Sequence, residues 1–254
     1  MTISIDGTAL IAYLLASVRI GGWLAFAPPF NNRGIPAMAK VVLALGLAFA
    51  ISPTLSSQKL PTTTPELLLV TGTQLLIGVA LGFVTQLLFT TIESAGALID
   101  LFGNFQVAAA YDPLSMNMNS VFGRFHQMLA FLLLFASGGH MMIIGGLLNT
   151  FRFLPLMAAP DVSSWASCMT TAFGMFFAIA VQIALPLIAV LFISDLALAL
   201  LTKVAPGLQP MQLMQPVKIG LTLLLVGLSF PVLPHAMSKL VTLIDQAMST
   251  MVGG

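Results

Sequence analysis

The sequence predicts an all-α, membrane-associated chain built of helical hairpins, with several helices kinked or broken. Three observations carry that prediction. Hydrophobic residues fill 58% of the 254 positions and charged residues only 7%, against about 25% charged in a soluble domain. The mean hydropathy is +1.03, and the apolar residues gather in runs near the ~20 residues that cross a bilayer as a helix. Prolines and glycines fall both between those runs and inside them, where they end or bend helices. The length accommodates roughly six to eight helices in a single domain, 1–254.

The first helix is expected over 7–27, interrupted by Arg19. The segment before it carries Asp6 and no Lys or Arg, so it lacks the basic start of a cleaved signal peptide and the apolar run is expected to be retained. Pro28, Pro29 and the stretch Asn31-Asn32-Arg33-Gly34-Ile35-Pro36 form a break. The next run, 37–51, is short and is expected to stop at Pro53, as half of a hairpin. A polar connection, 54–65, leads to the best single spanning candidate, 66–92. Within it Gln74, Gly78, Gly82 and Gln86 share one helix face, and the glycine pair lets another helix approach closely. The pattern continues through Glu93, Gly96, Asp100 and Gly103. Two acids beside two glycines on an apolar helix admit two readings: a functional carboxylate pair within the membrane, or a helix end in water or paired with a base.

The stretch 103–124 stands apart. It holds Asn104, Gln106, Asp112, Ser115, Asn117, Asn119 and Ser120, with Pro113 and the methionines Met116 and Met118. Proline lacks a backbone donor, and Asp and Asn compete for backbone hydrogen bonds, so no helix is expected to run through. Non-helical backbone at membrane depth survives only when buried in protein or lining a watery cavity. The stretch is therefore either a loop in or over a pore or a connection outside the bilayer.

Beyond it, 122–151 is apolar, with Gly138-Gly139 and Gly145-Gly146 suited to tight packing or a local break. A loop is expected over 152–161, and a long, kinked helix from 162 through Pro186 to about 201, with Asp195 deep in its apolar part. The prolines of 203–218 predict a loop or broken helix, 219–233 an apolar arm ended by Pro231 and Pro234, and 238–252 an amphipathic segment. Lys and Arg do not gather on alternate loops, so orientation stays open.

Catalytic chemistry is not in evidence. HExxH, GxSxG and GxxxxGK[ST] are absent, and His126, His140 and His235 lack metal-site spacing. Cys168 is the single cysteine, which excludes an internal disulfide. The net charge of +1 comes from scattered residues, without the basic run that nucleic acid would require. No catalytic, cofactor or metal residues are assigned.

Arg19-Ile20-Gly21-Gly22, Ala27-Pro28-Pro29-Phe30, Gly34-Ile35-Pro36 and Lys40 resemble the N-terminal signature of the FliR family of flagellar export-gate proteins. Glu93-Ser94-Ala95-Gly96, Leu98-Ile99-Asp100 and Tyr111-Asp112-Pro113 fit its middle region. Gly138-Gly139-His140, the Pro186 helix and Ala205-Pro206 through Pro216-Val217-Lys218-Ile219 extend the match nearly to the C-terminus. One departure is Gly207-Leu208-Gln209-Pro210-Met211, where the family usually has a Pro-Gln-x-Asn turn.

The resemblance implies a structural, non-enzymatic gating subunit of the flagellar type III export channel, in the bacterial inner membrane and flagellar basal body. Its partners would be P-type and Q-type subunits in a helical export-gate assembly, the larger export-gate membrane proteins, unfolded export substrates and membrane lipid. Residues 1–160 would resemble the P subunit, with a plug loop over 103–120, and 161–254 a Q-type hairpin. Such gates sit largely above the membrane plane, so apolar helices would be covered by sister subunits. The expected plug residues are Phe105, Gln106, Tyr111, Asp112, Pro113, Met116, Asn117, Met118 and Asn119. Methionine is flexible enough to seal a passage and repack. Arg19, Glu93, Asp100, Asp195, Lys203 and Lys218 are expected in charge contacts between subunits, because an unpaired buried charge is costly. The alternatives are an injectisome export-gate homologue for virulence effectors and a proton-coupled secondary transporter using Glu93, Asp100 or Asp195.

Overall fold

A computed structural model of the chain describes residues 7–32, 34–55, 58, 60–105, 120–204 and 210–253, the side chains of 210–213 excepted. Among these residues the chain is helical and has no strand. The helices are α1 (Gly7–Phe26), α2 (Ala37–Leu55), α3 (Thr64–Phe102), α4 (Val121–Ala136), α5 (Gly139–Phe153), α6 (Val162–Val204), α7 (Pro210–Ser229) and α8 (Leu233–Met251). A 3-10 turn, Phe230–Val232, joins the last two. Among the described residues five stretches are long and apolar enough to cross a membrane, or up to six if α4 and α5 together count as one span.

Two compact units form. One holds 1–89, 138–173 and 240–254; the other holds 90–137 and 174–239. In the first unit α1 packs on α2 and crosses α3 at the predicted glycine face. The backbone of Arg19 lies where a Cβ on Gly78 would stand, and the Trp23 carbonyl oxygen would be 2.8 Å from a Cβ on Gly82. Trp23 donates to Thr85 Oγ1 at 3.2 Å, and Asn31 donates to Gln86 Oε1 at 2.6 Å, so the same face continues as a row of hydrogen bonds. α8 buries Leu240, Val241, Ile244 and Met248 in this unit. Trp165 Nε1 donates to the Met251 carbonyl at 2.8 Å, and Gly146 leaves room for the Asp245 carboxylate.

Several boundaries differ from expectation. α2 does not stop at Pro53 but carries it inside its last turns to Leu55. The missing proline N–H would have served the Phe49 carbonyl, and Ser52 Oγ donates to that carbonyl at 3.0 Å instead. The run 122–151 is two helices, α4 and α5, broken at Gly138, whose φ of 71° is a left-handed conformation glycine adopts freely. The region 203–218, expected as a loop or broken helix, is helical to Val204 and again from Pro210, which sits at a first helical position where no N–H is needed; 205–209 lie outside the described residues. α8 begins at Leu233, five residues before the expected start.

α6 starts on a strong cap. Asp161 accepts from Ser164 Oγ at 2.6 Å, from Ser163 Oγ at 2.8 Å and from the Ser163 N–H at 3.1 Å. Those bonds, Ser164 foremost and then Ser163, favour the carboxylate and lower its pKa from 3.8 to about 2. A depressed carboxylate stabilises the fold above its unfolded value and loses that contribution as pH falls through the folded one. The protection of the Ser163 amide, taken relative to its intrinsic exchange rate at each pH, should therefore fall between pH 4 and about pH 2, and Asp161→Ala should lack that protection already at neutral pH. Equal protection in variant and parent at pH 7 would refute the cap.

Candidate functional site

The distinctive site lies in the second unit, where the chain leaves α3 and returns into α4. α3 ends on Gly103, whose N–H donates to the Ile99 carbonyl at 2.8 Å. Asn104 follows at φ 63°, the left-handed conformation that closes helices and that asparagine tolerates. Phe105 then packs on the cluster of Ala95, Ile99, Phe122, Ala184, Leu187 and Val226. Its ring meets Phe122 edge-on with centroids 4.9 Å apart.

The returning strand of chain is held by one carboxylate. Asp100 is wholly buried and accepts the Ser120 hydroxyl and the Phe122 N–H, the latter at 3.0 and 3.1 Å. Ser120 Oγ in turn accepts from the Gly123 N–H at 2.7 Å, which caps α4. Gly96 makes this docking possible, because the Phe122 carbonyl occupies the place of its absent Cβ. That carbonyl also accepts from His126 Nδ1 at 2.8 Å. One turn earlier Glu93 accepts from Gln127 Nε2 at 2.7 Å. The acid and glycine face of α3 thus serves as the seat of α4, and both ends of the segment 106–119 rest on one helical turn.

The expected plug residues divide accordingly. Phe105 stands at the departing end; Gln106, Tyr111, Asp112, Pro113, Met116, Asn117, Met118 and Asn119 lie outside the described residues. Of the six charged residues, five find partners inside the chain. Glu93 and Asp100 bind α4 as above. Lys218 Nζ lies 2.8 and 2.9 Å from the two oxygens of Asp195, joining α7 to α6. Arg19, in the first unit, is buried without a carboxylate partner among the described residues. Its guanidinium donates to Gln74 Oε1 at 2.6 Å, the Leu154 carbonyl at 2.9 Å and Thr150 Oγ1 at 3.4 Å, and lies 4.2 Å from the centre of the Phe151 ring. Lys203 is exposed on the last turn of α6.

Sequence reasoning named Ser120 only as one polar residue of the central stretch and gave Phe122 and Gln127 no role. A serine immediately before an apolar run was a legible N-cap signal, whereas the reach of Asp100 to a residue twenty positions later had no local trace. No three-residue cluster of His, Cys, Asp or Glu that could hold a metal occurs among the described residues.

Comparison with known proteins bears on what this seat belongs to. Residues 10–244 match the family model described as bacterial export proteins, family 1. The flagellar biosynthetic protein FliR of Escherichia coli K12 is 32% identical over 93% of this chain and 92% of its own length. That of Pectobacterium carotovorum is 33% identical over 85% and 83%. The Yop proteins translocation protein T of Yersinia pestis is 25% identical over 93% and 92%. With a family match over nearly its whole length, and relatives aligned end to end, this chain belongs to family 1 of the bacterial export proteins.

Proposed function

We propose that the chain is a structural and gating subunit of the flagellar type III protein-export channel in the bacterial inner membrane, with residues 105–119 as the element that closes the passage. The observation that carries the reading is the clamp on both ends of that segment. Phe105 is packed and edge-stacked on Phe122, and Ser120 and Phe122 hang on the buried Asp100. The residues that flank the segment are thereby fixed to the scaffold, which a gating element would need. Phe105, Met116 and Met118 would supply a deformable apolar seal, and Gln106, Asn117 and Asn119 polar contacts that exchange with a passing unfolded chain. P-type and Q-type subunits would cover the broad apolar surface that α6 and α7 expose, including Phe177, Ile193, Leu224 and Leu228. The subunit contributes no catalytic step. The flagellar system is favoured over the injectisome by the 32–33% identity to FliR proteins against 25% to the Yersinia translocation protein.

Removing residues 106–115 tests the proposal. The expected result is a measurable rise in ion leak across the inner membrane together with loss of controlled flagellar export. A membrane as tight as the parent's would overturn the assignment of this segment as the plug. Purification separates the gate from a solitary transporter, since the gate subunit is expected to be stable only with its P-type and Q-type partners.

A further inference from the structure

His126 uses one of its two ring nitrogens. Nδ1 bonds the Phe122 carbonyl at 2.8 Å on its own helix, α4. A carbonyl oxygen only accepts, so in the neutral ring that bond fixes the proton on Nδ1 and leaves Nε2 a bare acceptor. Nε2 has no protein partner among the described residues. Nor is it one of the side-chain atoms that the fold seals off without a hydrogen bond, of which Thr91 Oγ1 is an example. It therefore opens onto free space, although the residue as a whole is 1% exposed.

That space is a cavity of about 410 Å³, lined by His126 and lying wholly within the second unit. Ile99 of α3, Leu187 of α6 and Leu233 of α8 are its other buried walls, and Gln182 of α6 sets its amide at the exposed edge. Ser229, also in the lining, spends its hydroxyl proton on the Val226 carbonyl at 2.7 Å. The remaining lining side chains are apolar. Small-molecule sites are clefts of about 300–1,000 Å³ with apolar walls and a few placed polar groups, and this cavity has that size and makeup. A charged head would find no counter-ion, because no Lys, Arg, Asp or Glu lines it. One buried acceptor in an apolar wall selects a neutral molecule with a hydroxyl to donate.

We propose that this cavity binds a neutral amphiphile, an alcohol or phenol whose hydroxyl donates to His126 Nε2 and whose hydrocarbon body lies against Ile99, Leu187 and Leu233. The site uses neither residues 106–119 nor the Asp100 carboxylate, so it stands or falls apart from the gating reading.

The test uses the full chain purified with the subunits that accompany it. The probe is para-hexylphenol carrying a photoactivatable diazirine in its tail. The matching hexylbenzene, which lacks the hydroxyl, is its control, and labelled peptides are read by mass spectrometry. In the parent the phenol is expected to label the cavity-lining peptides of α3, α6 and α8 about tenfold more than the control does, the discrimination that one buried hydrogen bond supplies. Unmodified para-hexylphenol should compete that labelling away. His126→Asn keeps a donor for the Phe122 carbonyl and removes Nε2, so it should erase the tenfold difference. His126→Gln carries its amide farther out and should retain part of it. Ala236→Leu narrows the cavity and should suppress both probes. Should His126→Asn fail to assemble, the two probes in the parent and in Ala236→Leu decide. Three results would overturn the site: equal labelling by the two probes in the parent, an undiminished difference in His126→Asn, or a cavity left unlabelled because a neighbouring subunit's side chain fills it.

Discussion

Asp100→Ala is expected to stop flagellar export and to destabilise the subunit, with Asp100→Asn intermediate. The carboxylate, itself wholly buried, is the shared acceptor for the half-buried Ser120 hydroxyl and the buried Phe122 N–H. Alanine leaves those donors without an acceptor, at about 1–3 kcal/mol for each buried group so stranded. Ser120 still caps Gly123, so α4 should fold; its docking on α3 is what weakens. Asparagine keeps one acceptor oxygen and the shape of the side chain, hence the intermediate rank. Motility, secretion of a flagellar substrate and ion leak are the readouts, with the thermal midpoint of the purified assembly as the measure of stability. An alanine variant with the parent's midpoint and normal export would show that the clamp carries no weight.

Gly78→Ala should be among the most damaging single methyl groups at the described glycines. Its Cβ would land on the carbonyl of Arg19, and neither helix can yield there, since both contacting surfaces are backbone. Overpacking costs about 1–3 kcal/mol even where side chains can shift, and here the α1–α3 crossing itself must open. That opening would also draw the Arg19 guanidinium away from Gln74, its 2.6 Å acceptor, inside an apolar interior. Gly72→Ala on the same helix is the internal control, because its Cβ meets nothing within 4 Å. It should be neutral or raise the midpoint by the helix propensity of alanine over glycine, about 1 kcal/mol. Equal yield and stability of the two variants would refute the close crossing.

These residues also mark what the sequence could and could not convey. The four-residue spacing of Gln74, Gly78, Gly82 and Gln86 announced a helix face before any partner was known, and α1 is what rests on it. The acids and glycines from Glu93 to Gly103 were legible as one surface in the same way. Their partners were not, because Ser120 and Gln127 lie 20 and 34 positions from the acids they bind, beyond the reach of any local pattern. Arg19 shows the limit most sharply. Its acceptors stand 55, 131 and 135 positions away, and buried arginine raises the expectation of an acid when an amide, a hydroxyl and a carbonyl suffice. Prolines are ambiguous signals. Pro53 reads as a stop, yet a neighbouring serine repairs the missing bond, and the prolines of 203–218 read equally as loop or broken helix, of which Pro210 proves to open a helix at a position where no N–H is needed.

The pairing of Lys218 with Asp195 has a mechanical corollary. Sliding α7 along α6 by a single turn, about 5.4 Å, would carry the ammonium beyond reach of both carboxylate oxygens and leave the buried Lys218 charge without its partner. The two arms are thus pinned in register like blades on a rivet: free to swing about that point, forbidden to shear past it.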